Sequence, residues 1–206
     1  MPAPSRRRLL TLVAASLPLS IAGCAGSGTQ STQTPYNPSD TEPARSAPSC
    51  PDGVDSLDPG WVVTGSGPAG GFELTAGQST VAQGESLTVT LQNVTDRTRT
   101  TGNRRKLDLQ YRGTDGWHTI FGTQSDAVWT DIAIEHQPGT AFGWTFTMSE
   151  DGITTFLDEL DAPLYALCSP IDPGEYRFVY WGITTEREET EDFETDYALG
   201  IPFEVT

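Results

Sequence analysis

Asp172-Pro173-Gly174-Glu175-Tyr176-Arg177-Phe178-Val179-Tyr180-Trp181-Gly182-Ile183 is the stretch that decides the fold. Pro173-Gly174 is a turn signal. The residues after Tyr176 are β-branched or aromatic and apolar on both faces, which predicts a central strand with neighbours on either side.

Outward from this segment, short period-2 runs alternate with turn residues. In Ser86-Leu87-Thr88-Val89-Thr90-Leu91, the residues Leu87, Val89 and Leu91 share one face, with Ser86, Thr88 and Thr90 toward solvent. Lys106-Leu107-Asp108-Leu109-Gln110-Tyr111 repeats the pattern, with Leu107, Leu109 and Tyr111 inward. Thr114-Asp115-Gly116 then predicts a hairpin into Trp117-His118-Thr119-Ile120-Phe121. Further strands are expected at Gly71-Phe72-Glu73-Leu74-Thr75, over 141–148 and over 199–205. The one helix expected, over 149–160, is capped by Ser149 and striped by Phe156, Leu157 and Leu160. Gly152 and two threonines weaken it, so only one or two turns are expected.

Asp172-Pro173-Gly174-Glu175-Tyr176 resembles the tyrosine corner of immunoglobulin-like sandwiches, in which a tyrosine hydroxyl bonds back to the chain just upstream. Phe178 stands where an antibody domain has its second cysteine, so the usual inter-sheet bridge is absent. Thr88-Val89-Thr90-Leu91-Gln92-Asn93, Thr101-Gly102-Asn103, Asp115-Gly116-Trp117, Gln137-Pro138-Gly139 and Pro173-Gly174-Glu175-Tyr176-Arg177 follow in order. Together they resemble the Ig-like domains of bacterial and archaeal surface lipoproteins. The resemblance implies an all-β, immunoglobulin-like antiparallel β-sandwich that binds or spaces, generally without catalytic residues, although such folds host many functions.

The N-terminus indicates where such a domain resides. Ser5-Arg6-Arg7-Arg8-Leu9-Leu10 opens an uncharged stretch over 9–22, and Ile21-Ala22-Gly23-Cys24 closes it. Residues 1–23 resemble a lipoprotein signal peptide with lipidation at Cys24, and the arginine pair is similar to a twin-arginine signal. The competing reading, an uncleaved membrane anchor, is disfavoured because a spanning helix needs about 20 apolar residues. Pro18 also disfavours it. The stretch 24–49 is rich in Ser, Thr and Pro and reads as a disordered tether. Residues 50–206 are long enough for one domain with a core of its own. The expected location is the outer side of a cell membrane, held there through lipid on Cys24.

The chain has 12 Lys and Arg against 28 Asp and Glu, a net charge of −16. Loss of Arg6, Arg7 and Arg8 with the signal leaves nine bases against 28 acids, a net of −19. That surface repels nucleic acid. An acidic excess with Lys106 as the only lysine is similar to proteins of salt-loving archaea, with an ordinary acidic secreted protein as the alternative. Of three cysteines, lipid takes Cys24, which leaves Cys50 and Cys168 to form a disulfide in an oxidising compartment. Two separate buried thiols are the competing reading.

No Gly-x-Ser-x-Gly elbow, phosphate loop or metal-ligand spacing is present, and only His118 and His136 are available. The expectation is therefore no catalytic residue, no metal and no cofactor. The acidic run 186–196 lacks the EF-hand order, so a hydrated loop is favoured over a calcium site. Arg97, Arg99, Arg104, Arg105 and Lys106 form a basic patch, expected to pair within the domain rather than steer an anionic partner. Trp117, Trp129, Trp144, Tyr180 and Trp181 are either core or a surface for an extracellular protein or glycan, with core favoured. Asn93-Val94-Thr95 is the one glycosylation sequon, so Asn93 is a candidate acceptor. An anchored proteinase-inhibitor-like β-sandwich and an accessory subunit of a membrane complex are the alternative functions.

Overall fold

The computed structural model describes residues 47–65, 67–129, 132–160, 165–184 and 197–206. Cys24, the signal peptide expected over 1–23, most of the tether expected over 24–49 and the acidic run 186–196 lie outside the described residues. The described part is all-β with one helix, built as a sandwich. Strands are numbered in chain order.

One layer is a three-stranded antiparallel sheet of β11 (Ala141–Thr147), β5 (Ser86–Asn93) and β3 (Phe72–Ala76), in that order. The other layer runs β2 (Trp61–Thr64), β14 (Tyr197–Val205), β13 (Gly174–Tyr180), β7 (Leu107–Arg112), β8 (Trp117–Thr119). β4 (Thr80–Val81) adds to β14 as a sixth strand. β13 lies between β14 and β7, the central place expected for a strand apolar on both faces. It ends at Tyr180 rather than Ile183, and Ile183 forms only an isolated bridge to Thr101.

The core fills the space between these layers. From one side come Leu87, Val89, Leu91, Trp144 and Phe146, and from the other Leu107, Leu109, Tyr176, Phe178 and Tyr180, all buried. Trp144 packs at 4.8 Å from Phe178 and 5.2 Å from Tyr180, ring centre to ring centre. Each such side chain contributes about 1.5–3 kcal/mol of burial free energy. The corner is formed as expected: the Tyr176 hydroxyl donates to the Asp172 carbonyl at 2.8 Å and accepts the Asp172 N–H at 3.2 Å.

The helix α1 (Glu150–Glu159) has ten residues, longer than the one or two turns expected. Ser149 caps it by accepting the Gly152 N–H at 3.1 Å, and Ile153, Phe156 and Leu157 are buried. That apolar face outweighs the poor intrinsic propensity of Gly152.

Two departures from a simple antiparallel sandwich bear on function. β2 and β4 both join β14 in parallel, and β2, ahead of Phe72, forms one edge of the larger layer. The run 117–121 is also not one strand. The hairpin closes with the Gly113 N–H on the Gly116 carbonyl at 2.8 Å, and β8 pairs with β7 only as far as Thr119. The chain then leaves, and β9 (Phe121–Gln124) becomes the middle of a separate sheet between β1 (Val54–Ser56) and β12 (Tyr165–Leu167). A last pair joins β6 (Arg99–Thr101) to β10 (Ile134–His136).

Cys50 and Cys168 are bonded at 2.05 Å, with Cα atoms 4.2 Å apart. The bridge spans 118 residues of sequence and, in the chain-entropy account, contributes on the order of 4–5 kcal/mol. Gly122 lies beneath it, where a Cβ would sit 2.7 Å from Cys168 Sγ and 2.5 Å from Val54 Cγ1.

Candidate functional site

Period-2 alternation sends every second residue of the larger layer away from the core. On β7 these are Asp108, Gln110 and Arg112, on β13 Arg177 and Val179, and on β8 Trp117 and Thr119. The register places Arg177 beside Gln110, Gln110 beside Thr119, and Arg112 beside Trp117. This face is largely closed to solvent: Asp108 is fully buried, and Gln110, Thr119 and Arg177 are 5%, 8% and 9% exposed.

The buried polar atoms answer one another in a chain. Thr119 Oγ1 donates to Asp108 Oδ1 at 2.5 Å, and Gln110 Nε2 donates to Asp108 Oδ2 at 2.7 Å. Gln110 Oε1 accepts Arg177 Nε at 2.6 Å, and Arg177 Nη1 donates to Thr64 Oγ1 at 2.7 Å. Burial pushes the Asp108 carboxyl up to about 7, against the pull of the Thr119 and Gln110 hydrogen bonds and the Arg177 charge. Burial also draws Arg177 down to about 10, although Asp108 favours its charged form.

Over this chain opens a cleft of about 420 Å³, lined by Leu57, Asp58, Val62, Gln110, Trp117 and Arg177 among others. The segment 56–62 supplies one wall and β7, β8 and β13 the floor. Two guanidinium groups lie over the Trp117 indole, Arg177 at 4.6 Å and the exposed Arg112 at 5.3 Å from the ring centre. Each such contact is worth about 0.5–2 kcal/mol. The cleft therefore combines an aromatic plane, the held cation of Arg177 and amide and hydroxyl groups, a set suited to recognition.

His118 has a partner that its sequence context did not suggest. Its Nε2 lies 2.7 Å from Asp115 Oδ1, and that hydrogen bond holds the Asp115 carboxyl below its usual range. The ring leans on Tyr111 at 5.4 Å. His136 is 3% exposed, with Nε2 2.9 Å from Thr101 Oγ1 and burial pushing its pKa down. The two histidines occupy separate places, and among the described residues no three His, Cys, Asp or Glu side chains gather as a metal set.

Asn93 requires a correction. Its side chain is fully buried, and Nδ2 donates to the Arg97 carbonyl at 2.8 Å and to the His136 carbonyl at 2.9 Å. Its Oδ1 accepts from the Thr95 N–H at 3.0 Å and the Thr95 hydroxyl at 2.7 Å. Both amide hydrogens are engaged, which leaves no room for a glycan on the folded domain. The Asn-Val-Thr spelling serves a turn, with the asparagine bonding its own backbone two residues on.

The five aromatics divide. Trp144 and Tyr180 are core, Trp117 floors the cleft, and Trp129 and Trp181 meet edge to face at 4.9 Å. Positive charges of the basic patch are used inside the domain. Arg104 donates to the Gly143 carbonyl, Arg105 Nε to the Leu160 carbonyl at 3.0 Å, and Lys106 lies 5.4 Å from the Trp181 ring centre. No helix among the described residues is long and apolar enough to cross a membrane.

The residues that make the cleft were not candidates from sequence, apart from Trp117 and His118. The available signal was Arg177, a lone charge inside an otherwise apolar central strand, together with Asp108 and Gln110 facing the same way.

No family model matches the chain, and no curated protein matches it. Solved structures that resemble it include a β-glucosidase from Listeria innocua in complex with gluconolactone, at 18% identity and a TM-score of 0.26 over 65% of this chain. A β-glucosidase from Erythrobacter marinus gives 11% identity and a TM-score of 0.27 over 66% of this chain. A sporulation control protein from Bacillus subtilis gives 13% identity and 0.27 over 65%. The matched part of this chain spans 16%, 15% and 48% of those chains respectively. Likeness at this level transfers neither activity nor substrate, so the reading of this chain rests on its own residues.

Proposed function

We propose that this protein is a lipid-anchored, extracytoplasmic surface protein whose Ig-like sandwich acts as a binding domain rather than as an enzyme. The observation that carries the reading is the Cys50–Cys168 bond. It takes two of the three cysteines, belongs in an oxidising compartment and leaves Cys24 alone at the end of a signal-like segment. A polar tract then separates the lipid from the first bridged cysteine. The cleft over Trp117 favours binding over mere spacing.

The test is fractionation of cells expressing the full chain, with mass spectrometry of the mature N-terminus. The wild type is expected in the membrane fraction with a lipid-modified Cys24 as its first residue. Cys24→Ser is expected in the medium or as unprocessed precursor. An intact, unmodified N-terminus on the wild type overturns the anchoring.

A further inference from the structure

We infer that the edge strand β2 is a contact surface for a second copy of this chain, the two β2 strands pairing antiparallel about a two-fold axis at Val62. This goes beyond the reading of the sandwich as a binding domain, and only its last argument draws on the anchoring.

The first argument is an open edge. Among the described residues β2 pairs with β14 and with no other strand, and the Gly65 N–H donates to the Gly200 carbonyl at 3.2 Å. Backbone groups alternate in direction along a strand, so the N–H and C=O of Val62 point off the edge of the sheet. Neither has a hydrogen-bond partner there among the described residues. Such an unpaired edge is a template for another strand. By contrast β11, an edge of the smaller layer, has its Gly143 carbonyl taken by Arg104.

The second argument is an apolar overhang. Val63 lies beside Leu199 in register, and Leu199 belongs to the core, so Val63 and Trp61 face the core side of the sheet. They are nevertheless 39% and 70% exposed. The smaller layer ends at β3, which packs over β14, so β2 extends past its cover. Residues opposite one another in an antiparallel pair share a face, so the symmetric register sets Trp61 against the partner's Val63 and Val62 against the partner's Val62. In that register the outward groups of the two Val62 residues exchange two hydrogen bonds, and the apolar pairs cover the exposed indoles.

The third argument chooses the occupant. With 28 acids against 12 bases, two copies of this chain repel one another over most of their surfaces. Between Asp58 and Glu73 the sequence carries no charged residue, so this edge is where two copies meet with least repulsion. An axis along the sheet normal also keeps the outer faces of both copies on one side. Ala47 and Pro48 line the cleft on that face, so both tethers start from the same side of the joined sheet. That arrangement suits two copies anchored in one membrane, where confinement raises their effective concentration and offsets the small contact of a four-residue edge.

The experiment is oxidative crosslinking of the full chain on intact cells, joined to sedimentation of the detergent-solubilised wild type over a range of concentrations. Val62→Cys is expected to give a disulfide-linked dimer on gels run without reductant, and Thr88→Cys, on the open face of the smaller layer, to give none. Adding Trp61→Lys, at an exposed position, is expected to cut the Val62→Cys dimer about tenfold, as loss of a tryptophan anchor does, with the melting temperature unchanged. In solution the wild type is expected to pass from monomer to dimer as its concentration rises, and to do so earlier in high salt, which screens the acidic surfaces. Equal crosslinking at Val62→Cys and Thr88→Cys, a Val62→Cys crosslink to a different protein with no dimer, a Trp61→Lys change that leaves the dimer intact, or a wild type that stays monomeric at every concentration each overturns the proposal. Anchoring is scored separately by fractionation, and a chain found released is crosslinked in the medium instead, so failure of anchoring and failure of pairing give different results.

Discussion

The two outward faces of the sandwich are built from the same kind of strand and meet different surroundings. On the smaller layer, Ser86 and Thr147 pair across β5 and β11 at 3.1 Å and Thr88 and Thr145 at 3.0 Å, an exposed ladder of hydroxyls facing water. On the larger layer, the equivalent positions of β7, β8 and β13 carry Asp108, Gln110, Thr119 and Arg177, all buried. Water satisfies the first face whatever its side chains do. The second must satisfy itself, and it does so through one continuous chain of hydrogen bonds from Asp108 to Thr64. A polar outward face is therefore interchangeable in one layer and committed in the other.

That contrast is most severely tested at Gln110, which joins the carboxylate to the guanidinium. Gln110→Ala strands a buried oxygen of Asp108 and Nε of Arg177 at once. It is expected to cost about 3 kcal/mol in denaturant unfolding, at the upper end for a buried polar group left without its partner. A loss below about 1 kcal/mol means that the larger layer's outer face is as wet as the other.

Next in size is a pH effect from Asp108. Its folded pKa of about 7 lies above the ordinary value of 3.8. Between those values the folded state keeps the proton and the unfolded state releases it. The contribution of Asp108 is then greatest below about pH 4, declines as pH rises toward 7 and is flat above that. At about 1.4 kcal/mol per pH unit, stability should drop by roughly 2 kcal/mol between pH 5 and pH 7. Asp108→Asn cannot titrate and should abolish that drop, as thermal melts of the two proteins across this range will show. Melts of the two that stay parallel remove Asp108 from the account.

The smallest effect belongs to the open face. Thr88→Ala breaks the hydroxyl pair with Thr145 and is expected to cost about 0.5 kcal/mol by the same unfolding measurement. A cost equal to that of Gln110→Ala erases the distinction between the faces.

The strands that carry the core were legible because burial imposes a strict period: Leu87, Val89 and Leu91, or Leu107, Leu109 and Tyr111, can only be read one way. Tyr176 was legible through its turn. What alternation cannot reveal is what lies over a face. Gln110 and Thr88 occupy equivalent places in their patterns, and the path of the leading segment 47–65, which walls the cleft over Gln110, separates them. That segment was unreadable as strand, since its pairs with β14 and β9 are short, parallel or at an edge, and its Gly and Pro content hides them. Asn93 misled for a related reason. A glycosylation sequon and an asparagine-centred turn share a spelling, and only burial tells them apart.

The sulfur bridge has a mechanical consequence. Any tension that reaches the domain through the residues before Cys50 crosses directly to Cys168, six residues ahead of Gly174, the first position of Tyr176's hydroxyl-anchored strand. The load then enters the best-packed strand of the larger layer, whose peptide bonds are flanked on both sides by other strands. The two short strands between Cys50 and Phe72 hang as a slack branch outside that path.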